Sequence, residues 1–221
     1  MAIESSAAPS GPREWAEPSP AFLTALVTEH FVLQSMSAAT TSEASTRASL
    51  YLLTLSSSLV SLGFAAQASR HALELFAAAL LPTLVILGWL TVVRLTDTSV
   101  ANVRFVRRMT QIHRYYARIA PPDDRFFADA RAQAGEGEEE ASLRLIGARG
   151  RNSAVLLFFT MATSVGVVTS VVLGSGTALL CVNALERPLA VAIAIGVAAA
   201  LVHLAAVLRY QHDRFTTTFP A

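Results

Sequence analysis

The residues of this chain with the clearest capacity for chemistry are hydroxyls repeated at helical spacing in apolar surroundings. One set falls at positions i, i+3, i+4 and i+7 and therefore shares one helix face; it consists of Thr54, Ser57, Ser58 and Ser61. A second set consists of Thr160, Thr163, Ser164 and Ser170. Both faces are expected to point into a helix bundle, where they would line a hydrated path or pore. The alternative, which we favour, is that small hydroxyls allow close packing and bond back to carbonyls of their own helix.

His203 is, apart from tyrosine, the ionisable residue that lies well inside an apolar stretch. It shares a helix face with Ala192, Gly196, Ala199 and Ala200, small residues suited to tight helix contact. An ionisable group at such a position is a functional candidate, here as a polar group lining the same path. The alternative, again favoured, is a neutral histidine that makes one interhelical hydrogen bond. No metal site is predicted, because no second histidine, cysteine or carboxylate accompanies it in the apolar stretches.

A cluster of arginines follows the second apolar stretch and consists of Arg104, Arg107, Arg108, Arg114 and Arg118. Guanidinium groups bind phosphate well, so the cluster is a candidate contact for a nucleotide, an anionic lipid or an acidic partner. Topology alone is the simpler explanation, since basic residues accumulate on the cytoplasmic side of membrane spans. All seventeen basic residues are arginine, which excludes a phosphate-loop lysine and a Schiff-base lysine. With no catalytic arrangement and no cofactor motif, the chain is not expected to be an enzyme.

Four apolar stretches must position these groups, and each is close to the roughly twenty residues that a spanning helix needs. They cover residues 48–66, 75–93, 153–173 and 188–208, and none contains Arg, Asp or Glu. Hydrophobic residues make up 53% of the 221-residue chain and charged residues 15%, well below the roughly 25% charged residues of a typical soluble domain. The predicted fold is therefore all-α, an integral membrane four-helix protein.

The arginines also predict an orientation. Residues 97–151 hold ten of them, whereas the turns 68–74 and 174–187 hold one each. The positive-inside rule then places both termini and residues 97–151 in the cytoplasm of a cell-membrane protein, with the two turns outside. Eight acidic residues in 97–151 offset the ten arginines, so this segment is not expected to bind nucleic acid.

Two amphipathic helices are predicted on the cytoplasmic side. Ser19 and Pro20 form a helix start, followed by apolar residues at helical spacing to about Met36. Span two is expected to continue as a basic helix through residues 98–120, ended by two prolines. Neither apolar stripe is stable alone in water, so the helices should pack on each other or on further copies, or lie on lipid. Residues 1–19 read as a disordered tail and residues 121–152 as a linker with an acidic segment.

The arrangement over residues 20–120 resembles that of the SLATT family, bacterial two-span membrane effectors associated with nucleotide second messengers. The likeness lies in the helix-to-span junction formed by residues 29–31, Glu43, Arg47 and residues 51–53. It covers under half of the chain, and the second pair of spans is a departure from the family. The resemblance implies a non-enzymatic, oligomerising effector or sensor with a cytoplasmic protein or nucleotide as its signal. A small channel or transporter subunit and a membrane scaffold for a cytoplasmic partner are the alternatives.

Overall fold

The computed structural model describes residues 18–120, 161–183 and 185–218. This part of the chain contains helices and no strand, and each of its four helices is long and apolar enough to cross a membrane. They are α1 (Pro20–Ala68), α2 (Arg70–Ile119), α3 (Met161–Asn183) and α4 (Leu189–Thr218). The all-α fold is confirmed, and the chain is a multi-pass membrane protein by the length and composition of these helices. The predicted tail and the linker 121–152 lie almost wholly outside the described residues.

Helix α1 begins at the predicted cap and continues into the first span without a break. The Ser19 hydroxyl accepts a hydrogen bond from the Phe22 amide at 3.2 Å, and Pro20 occupies the first helical position. Further along, Arg47 and Glu43 form an i,i+4 ion pair at 2.8 Å. The 49 residues of α1 extend over about 74 Å, more than twice the bilayer core of about 30 Å. A large part of α1 therefore projects beyond the membrane.

A single residue reverses the chain between α1 and α2. The Ser69 amide donates to the Ala65 carbonyl at 3.2 Å, and its hydroxyl accepts from the Ala72 amide at 3.0 Å. Ser69 thus caps both helices, and the turn between α1 and α2 is shorter than the predicted residues 68–74. Helix α2 then runs for 50 residues through the second span and the arginine cluster. This is the long continuous helix that the sequence predicts.

The projecting halves of α1 and α2 pack against each other as an antiparallel hairpin. Contacts between them include the rings of Phe22 and Tyr115, with centroids 5.7 Å apart, and a 2.6 Å hydrogen bond between Ser37 and Asn102. The covered residues of α1 recur every three and four positions: Leu23, Leu26, His30, Leu33, Ser37, Thr40 and Ala44. This spacing is that of a coiled-coil seam.

The buried seam of α1 is narrower than the apolar stripe predicted from the sequence. The apolar stripe predicted between Pro20 and about Met36 includes Phe22, Val27 and Phe31, but in the structure these side chains are exposed, at 48%, 44% and 65%. The reason is geometric. A single partner helix covers a narrow seam with a period of 3.5 residues, whereas the stripe read from the sequence was wider.

Two neighbouring positions of α1 therefore predict opposite outcomes. Leu33→Asp is expected to open the hairpin and cost about 2–5 kcal/mol, because the side chain is 2% exposed and an aspartate there would be buried without a partner. Phe31→Asp is expected to leave the melting temperature of the purified protein within about 2 °C of wild type. Thermal unfolding in detergent, followed by circular dichroism, measures both. Equal stability of the two variants would show that the seam is not where the structure has it.

Helix α3 packs between α2 and α4 and continues further than predicted. Residues 174–187 were expected to form an outer loop, but α3 continues to Asn183 and buries Cys181. The chain then reverses within a few residues, where Glu186 has a positive φ of 48° and the Arg187 amide bonds the Cys181 carbonyl at 3.1 Å. Residues 153–160 of the predicted third span lie outside the described residues. The fourth span, 188–208, lies almost wholly within α4, which extends to Thr218.

Candidate functional site: the polar groups of the membrane helices

Three of the four α1 hydroxyls face away from the bundle. Thr54, Ser57 and Ser61 are exposed, and each donates to the carbonyl four residues earlier at 2.8–3.0 Å. Only Ser58 is buried. The expectation that the whole face points into the bundle is therefore wrong for this single chain. The seam continues into the span through Tyr51 and Ser58, so the other three hydroxyls lie on its flank.

The hydroxyls of α3 behave differently. Thr163 is buried and donates to the Gln211 side-chain oxygen at 3.0 Å, while Ser170 is buried and lies 2.8 Å from His203 Nδ1. Ser164 is on the exposed side of the helix. Thr160 lies outside the described residues. Two of the four predicted positions are thus brought into the bundle, both facing α4.

His203 makes the interhelical hydrogen bond expected of a neutral histidine. Besides the Ser170 hydroxyl, its ring meets the edge of Trp89 at a centroid distance of 5.8 Å. The predicted small-residue seam around it is also present. Ala192 and Gly196 are buried, and the Gly196 carbonyl lies where Gly174 would carry a side chain. The side chain of His203 therefore links α4 to α3 and α2.

Three interior polar residues, Tyr51, Thr169 and Gln211, were not identified from the sequence. The Tyr51 hydroxyl lies 2.8 Å from the Thr169 hydroxyl, which fits against Gly88, so three helices meet at this point. Gln211 is buried at the end of the α3–α4 contact. Its spacing from His203 and Val207, at i+8 and i+4, is the signal that places it on the packed face of α4.

Within the part of the chain that the structure describes, the interior polar groups join helices and do not form a continuous path. Tyr51 with Thr169, Ser170 with His203, and Thr163 with Gln211 are separate hydrogen-bonded pairs. Buried polar groups paired in this way stabilise a specific helix arrangement. Among residues 18–120, 161–183 and 185–218, no group of three or more His, Cys, Asp or Glu side chains is placed to hold a metal ion.

The arginine cluster occupies one side of the projecting part of α2. By helical geometry the five arginines fall within an arc of about 120°. Arg104, Arg108 and Arg118 are exposed, whereas Arg107 and Arg114 are half-buried. Near the base of this segment, Asp97 forms an ion pair with Arg214 of α4, and this carboxylate raises the pKa of Arg214. The projecting hairpin thus carries a basic surface.

A pair of histidines lies inside the hairpin seam. The rings of His30 and His113 are 5.1 Å apart, and the Nδ1 atom of His30 is buried without a hydrogen-bond partner. Burial, followed by the nearby charge of His30, lowers the pKa of His113 below its usual value of about 6.5. Protonating His113 would place positive charge between two packed helices.

The hairpin is therefore expected to lose stability on acidification. His113 titrates near 6.5 in an unfolded hairpin and lower in the folded one. The folded state consequently has its full stability above about pH 6.5 and loses it as pH falls below that value. We expect the melting temperature to drop between about pH 7.5 and pH 5.5 in wild type, and to drop less in His113→Gln. His212→Gln, at an exposed histidine, is the control; if it flattens the pH profile as much as His113→Gln, the pair is not the cause.

Comparison of the chain with protein-family models, curated proteins and solved structures finds no match.

Proposed function

We propose that this chain is a non-enzymatic membrane effector or sensor that acts as a homo-oligomer in the cell membrane. The observation that carries the proposal is the position of Thr54, Ser57 and Ser61. These hydroxyls form a polar stripe on the exposed side of α1, within a segment that contains no charged residue. A polar stripe in a span is better placed against protein or water than against lipid, and assembly of several copies supplies that environment.

The hydroxyls of the stripe are suited to line a water-filled path between several copies of the chain. Each hydroxyl donates to a carbonyl of its own helix, so its proton already has a partner in the single chain. A hydroxyl that donates one hydrogen bond still has lone pairs that accept from water. Copies arranged with this side of α1 inward would therefore surround a polar lining. The polar groups inside the bundle are already paired with one another. A path between copies is therefore favoured over a path through the interior of one chain.

The projecting hairpin suits reception of a signal. Arg104, Arg108 and Arg118 present guanidinium groups that recognise phosphates or carboxylates. In the orientation proposed from the arginines, with both termini in the cytoplasm, this surface meets a cytoplasmic nucleotide or an acidic partner protein. The continuous helices α1 and α2 then connect the receiving surface to the spans. This is the effector arrangement implied by the resemblance to the SLATT family.

Permeability of liposomes that contain the purified protein tests the proposal. Wild type is expected to release a small trapped dye more than linearly with protein density, as an assembly requires. Removing the stripe by Thr54→Val, Ser57→Ala and Ser61→Ala together is expected to lower release by about tenfold or more, because an apolar constriction loses its water. Ser56→Ala, an exposed serine on another side of the same helix, is the matched control.

The same experiment distinguishes the alternatives. Release proportional to protein density, and unchanged in the triple variant, would point to a channel or transporter subunit that conducts through one chain. No release at any density, together with a cytoplasmic protein that binds wild type but not an Arg104→Gln, Arg108→Gln and Arg118→Gln variant, would point to a scaffold. Either result would overturn the effector proposal.

A further inference from the structure

A crevice between α2 and α3 lies near the end of the bundle where α1 turns into α2. Its volume is about 610 Å³. Most of its wall is apolar and formed by Ala77, Leu81, Pro82, Val85, Val172 and Gly176. At Gly176 the two helices approach each other closely, since a methyl group there would lie 3.1 Å from Leu81. The crevice therefore lies beside a close contact between α2 and α3.

One end of this crevice is charged. Glu74 and Asn183 line it, and Arg70 joins them through hydrogen bonds of 3.0 Å to the Glu74 carboxylate and 3.2 Å to the Asn183 amide oxygen. The Arg70 and Glu74 side chains stay accessible, at 70% and 41%. These contacts use two of the five N–H donors of the guanidinium. A cation and a carboxylate thus stand side by side where the apolar wall ends.

We propose that the crevice binds one phospholipid with a phosphatidylethanolamine headgroup. One acyl chain lies along the apolar wall, the phosphate meets Arg70, and the ammonium meets Glu74. The adjacent opposite charges match the zwitterionic headgroup. A primary ammonium donates hydrogen bonds to the carboxylate, whereas the quaternary ammonium of phosphatidylcholine has no N–H to donate. The site is independent of the proposed path along α1.

The length of the crevice and its charged end favour a lipid over a second copy of the chain. The crevice follows α2 from Glu74 to Ile86, twelve residue steps or about 18 Å. That length is close to one leaflet of the hydrocarbon core, about 15 Å. A phospholipid in one leaflet would therefore extend along the whole crevice, from its charged end at Glu74 to its apolar end at Ile86.

Native mass spectrometry of the detergent-solubilised protein tests the assignment, with phosphatidylethanolamine, phosphatidylcholine and phosphatidylglycerol added separately. Wild type is expected to retain one phosphatidylethanolamine about tenfold more strongly than phosphatidylcholine. Arg70→Gln should weaken retention of both phosphatidylethanolamine and phosphatidylglycerol. Glu74→Gln should remove the preference for phosphatidylethanolamine alone. Both residues are accessible, so neither change is expected to unfold the protein, and circular dichroism verifies this.

A second pair of variants tests the crevice itself. Ala78→Phe places a ring in the crevice and should abolish retention, whereas Ala79→Phe, at an exposed neighbour outside the lining, should not. Equal retention of phosphatidylethanolamine and phosphatidylcholine by wild type would overturn the headgroup assignment. If both phenylalanine variants still retain the lipid, or if both lose it while their folding is intact, the crevice is not the binding site. Disulfide-linked dimers of an Ala78→Cys variant would assign the crevice to a second copy.

Discussion

Alanine at Gly174 or at Gly196 is expected to separate α3 from α4 and to destabilise the protein by about 1–3 kcal/mol, or more. A Cβ atom at Gly174 would lie 2.7 Å from the Gly196 carbonyl oxygen and 2.9 Å from the Ala200 methyl group. The obstructing atom is backbone, so no side-chain rotation relieves the clash. The two helices would have to move apart, and the buried pairs between them, including Ser170 with His203, would lengthen.

Thermal unfolding in detergent measures this effect, and the chain provides a close control. Gly63 lies in the span part of α1, and a methyl group there would meet no atom within 4 Å. Gly63→Ala should therefore melt at or slightly above the wild-type temperature, because alanine favours the helix over glycine by up to about 1 kcal/mol. If Gly174→Ala and Gly63→Ala melt alike, the helices do not approach as closely as the structure has them.

Tyr51→Ala is expected to cost about 3–5 kcal/mol, whereas Tyr51→Phe should cost only about 0.6 kcal/mol. Among the described residues, Tyr51 is the largest of the fully buried side chains, and it joins α1 to Gly88 of α2 and Thr169 of α3. Alanine would leave a cavity at this three-helix junction. Phenylalanine keeps the ring and removes one hydroxyl, and Thr169 still donates to the Val165 carbonyl at 2.8 Å.

Chemical or thermal unfolding of the two variants in one detergent compares these values. Leu52→Ala is the matched control, because this neighbouring side chain is 45% exposed and leaves no enclosed cavity. A loss in Tyr51→Phe as large as in Tyr51→Ala would mean that the hydrogen bond, and not ring packing, holds α1 to the bundle. A loss in Leu52→Ala as large as in Tyr51→Ala would mean that α1 packs through its other side.

Helix formation and helix extent were largely predictable from the sequence. Apolar runs without charges must be helical in a bilayer, because every backbone group needs an internal partner there. Local signals then located the start of α1 at Ser19 and Pro20 and the end of α2 before two prolines. The end of α3, in contrast, was predicted too early, because the local signals there were misleading. Gly174 and Gly176 look like loop residues locally, but in the structure they are where α3 meets α4 and α2.

Only the tertiary structure decided which helix faces are inside. Thr54, Ser57 and Ser61 turned outward while Ser58 turned inward, although all four share one face by spacing. His203 forms a hydrogen bond with Ser170 on another helix, and Arg70 forms one with Asn183, which is more than a hundred residues away in the sequence. In water the hydrophobic pattern of a helix indicates its buried side. In a bilayer the surroundings are as apolar as the bundle interior. Composition therefore determines that a helix spans the membrane, whereas packing determines which of its faces points into the bundle.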